Sequence, residues 1–413
     1  MKFILAAGAV LIPVIYSGGL DVFSLPKELV FRAEAIALLA AGVFWATSKA
    51  RTWTLGVRRN AIVLAAVIVA WAAITTATST NRLLSADALL TIAAAAVIFV
   101  ATLLAAQTTS IGAVDVLMFG ACANAALVVL QELKIWSPFV HAAFVSGHYA
   151  SVGFLGNTNY VGTFLAAPAL AAIVMAIVAA GKRRWIYAVI AVLLVTGLAL
   201  SASRTAVVAV VAALVVLVVR FRRGWLAVAA AIAVVALPTL SPKTALGIRA
   251  RELVDAASKR DYERLFSERL LPALAAVDMI RDHPLLGVGP GCFRYQFMGY
   301  RLRLDEHYPK AWTRGYPGNW GAAHNDHLQV AAETGLPGYA LFFAAIGIGA
   351  GLGRRGAPAR VETSFARALR WPLAALALVL CIAQFPLELA APRLMLISLG
   401  ALCITWDEDD DAA

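Results

Sequence analysis

Charge is scarce in this chain. Only 14% of its 413 residues are Asp, Glu, Lys or Arg, against about 25% in an ordinary soluble domain, while 61% are hydrophobic. That balance excludes both a water-soluble globular protein and a disordered one. Cysteine is also sparse: Cys122, Cys381 and Cys403 lie inside apolar runs, Cys292 stands alone, and the absence of any CxxC spacing excludes a disulfide framework or a thiolate metal site. There is no GxxxxGK[ST] loop for a nucleotide, and "GVGPG" at 287–291 neither follows a strand nor opens a dinucleotide-binding helix. On the outer face no DxD or paired carboxylates offer a site for a divalent cation, so neither a metal nor a cofactor is expected. The formal charge of +11 could suggest nucleic acid, but the basic residues are arranged in a way that points to lipid instead.

What is abundant is apolar sequence in runs long enough to cross a hydrocarbon layer of ~30 Å. Twelve spans are expected, near 3–19, 30–48, 61–78, 88–106, 111–131, 157–180, 185–200, 204–219, 225–241, 333–352, 371–387 and 390–405. The fold class is therefore an all-α polytopic membrane protein. Residues 1–241 carry the first nine helices, 242–332 a large, partly helical outer loop, 333–405 the last three helices, and 406–413 an acidic cytoplasmic tail. Residues 3–16 behind Lys2 read as an uncleaved first helix, not a signal peptide. With the N-terminus inside, the inner segments hold sixteen Lys and Arg, while the outer ones, apart from the long loop, hold six. Positive residues stay on the cytoplasmic side, so both termini are expected there.

Residues 185–219 are apolar except at "SASR", 201–204, and have basic flanks on both sides. One straight helix of that length would reach about 52 Å, too long for one crossing, so the segment should turn back at the outer face. Arg204 then sits at the turn, in a recess where an ionisable group needs a partner. The outer loop has helical apolar spacing at Leu265, Leu270, Leu274, Val277 and Ile280, ending at Pro284, and suggests an amphipathic helix lying over the membrane. It is rich in aromatics: Phe293, Tyr295, Phe297, Tyr300, Tyr308, Trp312, Tyr316 and Trp320.

Three groups on the outer side can do chemistry. Arg204 either snorkels to lipid phosphate or binds a ligand. Arg269 is a charge on a solvated helix face or a second such ligand. His324, in "HNDHLQ", is a loop residue or a base. Without a nucleotide, their joint chemistry requires a substrate that already carries a good leaving group, and a lipid-linked diphosphate does. Guanidinium groups grip phosphate oxygens in pairs and stabilise charge on a departing phosphate, and a neutral imidazole can take the proton of an attacking hydroxyl. The loop aromatics suit sugar stacking. Among the neighbours, Asn325 and Asp326 read first as helix caps, although Asn325 and His327 could also meet sugar. Glu333 either pairs with an arginine or marks the acceptor site, and Asn157 and Asn159 bind a ligand or shape a turn.

"GFLGNTNYVGTFLA" (153–166), "SASRTA" (201–206), "SERLLPALAAVDMIRDHPLLGVGPGCF" (267–293) and "HNDHLQVAAETGLPG" (324–338) occur in the order seen in the O-antigen ligase and Wzy-polymerase superfamily, which the chain resembles. The resemblance implies a GT-C-like glycosyltransferase of the bacterial inner membrane. It would move a glycan from undecaprenyl diphosphate to a hydroxyl acceptor on the periplasmic face, with inversion and without metal. His324 maps to the general base, and Arg204 and Arg269 to the diphosphate ligands. A tryptophan that often follows the loop arginine is missing here, which leaves Arg264 as an alternative to Arg269. Ligation to lipid A core is the favoured activity. Repeat-unit polymerisation and transfer to a protein hydroxyl are alternatives within the family, and a lipid-linked sugar transporter is the alternative outside it. A transporter would carry its charges near the midplane and show internal repeats; none is found here.

Overall fold

The computed structural model describes residues 1–18, 21–48, 56–139, 151–220, 229, 245–261, 269–308, 319–351 and 361–406. Among these residues there are helices and no strand. In a lipid medium each backbone N–H and C=O must bond within its own segment, and a helix achieves this. The order is α1 (Lys2–Val14), α2 (Ser24–Ser48), α3 (Gly56–Ala77), α4 (Arg82–Ala106), α5 (Gly112–Glu132), a 3-10 turn at Gly153–Leu155, α6 (Thr158–Val178), α7 (Gly181–Leu200) and α8 (Arg204–Arg220). There follow α9 (Ala245–Ser258), α10 (Leu270–Asp282), α11 (Phe293–His307), α12 (Asp326–Gly349), α13 (Val361–Ala383) and α14 (Ala390–Trp406).

Seven of these, α3 to α7 with α12 and α13, are long and apolar enough to cross a membrane. The chain is a multi-pass membrane protein. Each span expected from the sequence falls on a helix except that at 225–241, which lies outside the described residues apart from residue 229; Arg264 and the tail from 407 also lie outside them.

The central element is α6. Of its apolar window 83% is buried, against 22% for α3 and α12, and it packs on α5, α7, α8, α13 and α14. The expected turn after α7 is present at Ser201–Ser203, with Ala202 in the left-handed region at φ +51°. The two legs do not pair closely, however: α8 packs chiefly on α13 and α6. The Arg220 guanidinium, at the C-terminal end of α8, lies 5.7 Å from the Trp371 ring at the middle of α13. The start of α8 and the residues just after α13 share one end of the molecule, because both meet the first turn of α6: a Cβ on Gly162 would lie 2.3 Å from Ser203 Cβ, and Tyr160 meets Phe385 at 5.5 Å.

One expectation about the segment 242–332, the aromatics as a surface for sugar, needs correction. The face that α10 buries is Leu271, Ala275, Ala276 and Met279, whereas Leu270, Leu274, Val277 and Ile280 are only partly covered. Small residues make the closest contact because α11 supplies the bulk. Phe293, Phe297 and Tyr300 are buried between these helices, so they form a core and not a sugar platform. Trp312 and Tyr316 lie outside the described residues. Asp278 and Asp282 of α10 pin the pair together: Asp278 accepts from the Tyr308 hydroxyl at 2.9 Å and faces His307 Nδ1 at 3.1 Å, and Asp282 accepts from Tyr300 and Arg303, each at 3.0 Å.

Helix α12 breaks at Gly335, whose φ of +72° with ψ 176° is open to glycine alone. A helix that ends leaves its last carbonyls without partners. Here the carbonyls of Ala332, Glu333 and Thr334 accept from Val288 N, Gly289 N and Trp71 Nε1, each at 2.9 Å. The glycine-rich turn is thus a backbone ribbon seated on a broken helix. A Cβ on Gly287 would lie 2.3 Å from the Glu333 carbonyl carbon, so "GVGPG" reflects close approach of two backbones.

Candidate active site

His324 stands two residues before α12 with φ +52°. A side chain in that region costs about 1–2 kcal/mol and persists only where its surroundings hold it. Below it, Asn325 caps α12: its side chain accepts from Leu328 N at 3.0 Å and its carbonyl from Gln329 N at 2.9 Å. Above it, the buried N–H of Ala323 donates to Gln329 Oε1 at 2.9 Å.

The imidazole is clamped edge-to-face by Trp320, with centroids 5.1 Å apart, and by Phe385 at 4.5 Å. Its Nδ1 is buried with no hydrogen-bond partner among the described residues. Burial, reinforced by the positive charge of Arg269, pushes the His324 pKa down to about 3 from 6.5. The ring is therefore held neutral, the form in which a lone pair is available to a proton.

Arg269 immediately precedes α10, and its Nη1 donates to the carbonyl of Ala383 at the end of α13. It acts electrostatically on both His324 and Tyr160. Two of the three residues singled out in the sequence therefore converge.

Arg204 opens α8 at the same end, half-buried. The turn before it rests on α6, where a Cβ on Gly162 would lie 2.3 Å from Ser203 Cβ. Two residues before Gly162, Tyr160 meets the Phe385 ring at 5.5 Å, and Phe385 meets His324. Arg204 is thus linked to His324 through the first turn of α6 and an aromatic pair.

The secondary candidates have other work. Asn157 caps α6, accepting from Asn159 N at 2.8 Å, while Asn159 is half-exposed one residue before Tyr160. His327 turns away from His324, with Nε2 3.0 Å from the Leu378 carbonyl oxygen and its ring stacked on Phe343 at 5.8 Å. Glu333 accepts from Gly291 N at 2.8 Å and Phe293 N at 3.1 Å, so its carboxylate caps α11. Among the described residues no set of three His, Cys, Asp or Glu converges as metal ligands would.

A cavity of about 660 Å³ opens beside the site, walled by apolar residues of α3, α4, α12 and α14. Its polar end carries Glu28, Arg32, Asp87 and Arg393, which are paired with one another across α2, α4 and α14. The cavity does not reach His324; it stops at Tyr160, one aromatic layer away. Tyr160, Phe385 and Gln329 were missed from the sequence. Tyr160 and Gln329 stand inside quoted motifs and could have been found there, whereas nothing near Phe385 marks it.

Residues 189–343 match the family model described as O-antigen ligase. That segment is similar to the O-antigen ligase family. The match supports the superfamily read from the motifs, three of which lie within it; family members are glycosyltransferase-like enzymes. The ligase-family segment runs from within α7 to the inner half of α12 and includes Arg204, Arg269 and His324. No curated protein matches the chain.

Proposed function

We propose that this protein transfers a glycan from undecaprenyl diphosphate to a hydroxyl on lipid A core, as an O-antigen ligase of the bacterial inner membrane with twelve spans, cytoplasmic termini and a periplasmic site. One observation carries the reading: a neutral, clamped imidazole lies beside a guanidinium at one end of a membrane bundle, within a ligase-family segment.

His324 takes the proton of the acceptor hydroxyl, and that oxygen attacks the anomeric carbon on the face opposite the diphosphate. The bond from the anomeric carbon to the diphosphate oxygen breaks, its electron pair leaves with the diphosphate, and the configuration inverts. Arg269 and Arg204 receive the growing negative charge. No step requires a metal. The apolar cavity that ends at Tyr160 suits a prenyl or acyl chain, which brings a lipid head to the site from within the bilayer. Asn159 is the remaining candidate for a sugar contact. Asn157, Asn325, His327 and Glu333 already have protein partners, and the proposal asks nothing more of them.

The test is transfer by the purified protein in lipid vesicles, from a polyprenyl-diphosphate glycan to lipid A core. His324→Ala should insert and fold normally and lose about 10²-fold or more of the rate. Full activity of that variant removes the base. Deletion in the host separates the relatives: accumulated lipid-linked polymer indicates ligase, a single repeat on the core indicates polymerase, and a lost glycoprotein with intact surface glycan indicates protein transfer.

A further inference from the structure

We propose that Gln329 is a positioning residue for His324, its side-chain amide holding both the backbone that presents the imidazole and the loop that walls it. The inference rests on His324 being the base.

Gln329 is 3% exposed, one turn into α12. Its oxygen accepts from Ala323 N at 2.9 Å, and its amide nitrogen faces Glu388 Oε1 at 3.2 Å and Glu333 Oε1 at 3.4 Å. A backbone N–H can only donate, so the oxygen must point to Ala323 and the NH₂ to the two acids; the orientation of the amide is set by chemistry. Ala323 is fully buried, and without Gln329 its N–H would have no partner among those described.

The second hand of the amide matters as much. Glu388 lies in the α13–α14 connection, three residues after Phe385, and its N–H donates to the Phe385 carbonyl at 3.1 Å. Phe385 is one of the two rings that clamp His324. One buried amide thus ties the left-handed backbone at His324 to one wall of its ring. Loss of that tie should misplace the imidazole without touching the groups that bind donor, and a misplacement of about 1 Å is enough to cost ~10²-fold in rate.

Gln329→Met keeps length and bulk and removes both hands. In the vesicle transfer assay we expect kcat to fall at least about tenfold, with the donor KM within about twofold of the parent. A purely structural role would lower the amount of folded protein, or move KM along with kcat. An unchanged kcat in Gln329→Met, or a fall matched by loss of donor affinity, overturns the proposal.

If Gln329→Met fails to insert, the anchor supplies the test. Glu388→Ala should lower kcat, and Glu388→Gln, which keeps an oxygen for the Gln329 NH₂, should restore it to within about twofold. Equal activity of Glu388→Ala and the parent overturns the proposal. An inactive His324→Ala beside a fully active Gln329→Met sinks this inference alone, whereas an active His324→Ala sinks the base reading beneath it.

Discussion

His324 and Glu333 lie on the same short stretch of chain, nine residues apart, and the protein treats them oppositely. Both oxygens of Glu333 are taken by backbone N–H groups of the glycine turn, and the carbonyls around it are taken as well. The Nδ1 of His324 is buried with no hydrogen-bond partner among the described residues, and aromatic edges hold its ring. A buried polar group is normally satisfied, because leaving it bare costs about 1–3 kcal/mol. Around Glu333 the fold meets that rule and gains a joint between the outer loop and α12. At His324 it breaks the rule on a strained backbone, and such exceptions mark sites of chemistry. An ionisable residue at a membrane doorway is therefore not informative by type; what matters is whether the protein has already used it.

This contrast can be broken in order of effect. On the open side, Arg204→Lys should lose about 10²-fold in kcat despite its kept charge, because an ammonium offers no two-pronged grip on phosphate. An equally active lysine variant in the vesicle assay would mean that Arg204 merely snorkels. On the saturated side, Glu333→Ala should lower stability by about 2–4 kcal/mol by stranding two buried amides, read as a lower Tm in detergent. The rate per folded molecule should change little, which is the reverse of the pattern expected at His324.

The smallest effect is in pH. The folded imidazole stays neutral down to about pH 3, so kcat/KM for donor should show no acid limb near 6.5. Arg269→Gln removes a repelling cation and should move that limb upward. The linked stability follows the same sign: the unfolded chain takes the proton as pH falls through 6.5 while the folded ring refuses it, so the contribution of His324 is whole above 6.5 and is lost from there towards 3.

Much of this was legible before any coordinates. Apolar runs located α1 to α8 and α12 to α14, and the "SASR" interruption located the turn ahead of Arg204. Asn325 could be read as a helix cap from position alone, and it is one; Asn157, read as a ligand contact or a turn residue, also caps a helix. The aromatics of the outer loop were misjudged because a ring in a polar segment looks the same whether it faces sugar or the neighbouring helix; for Phe293 and Phe297 the partner was α10.

The sequence by itself determined that this is a helical membrane protein, the order of its helices and the residue types able to act on a diphosphate, since each of these follows from local composition and spacing. Only the tertiary structure decided that His324 meets Arg269, that Glu333 is spent on the glycine turn, and that Gln329 reaches both Ala323 and Glu388. Those are contacts between segments far apart in the chain, and they depend on where α12 breaks and how α13 ends, which no local pattern encodes.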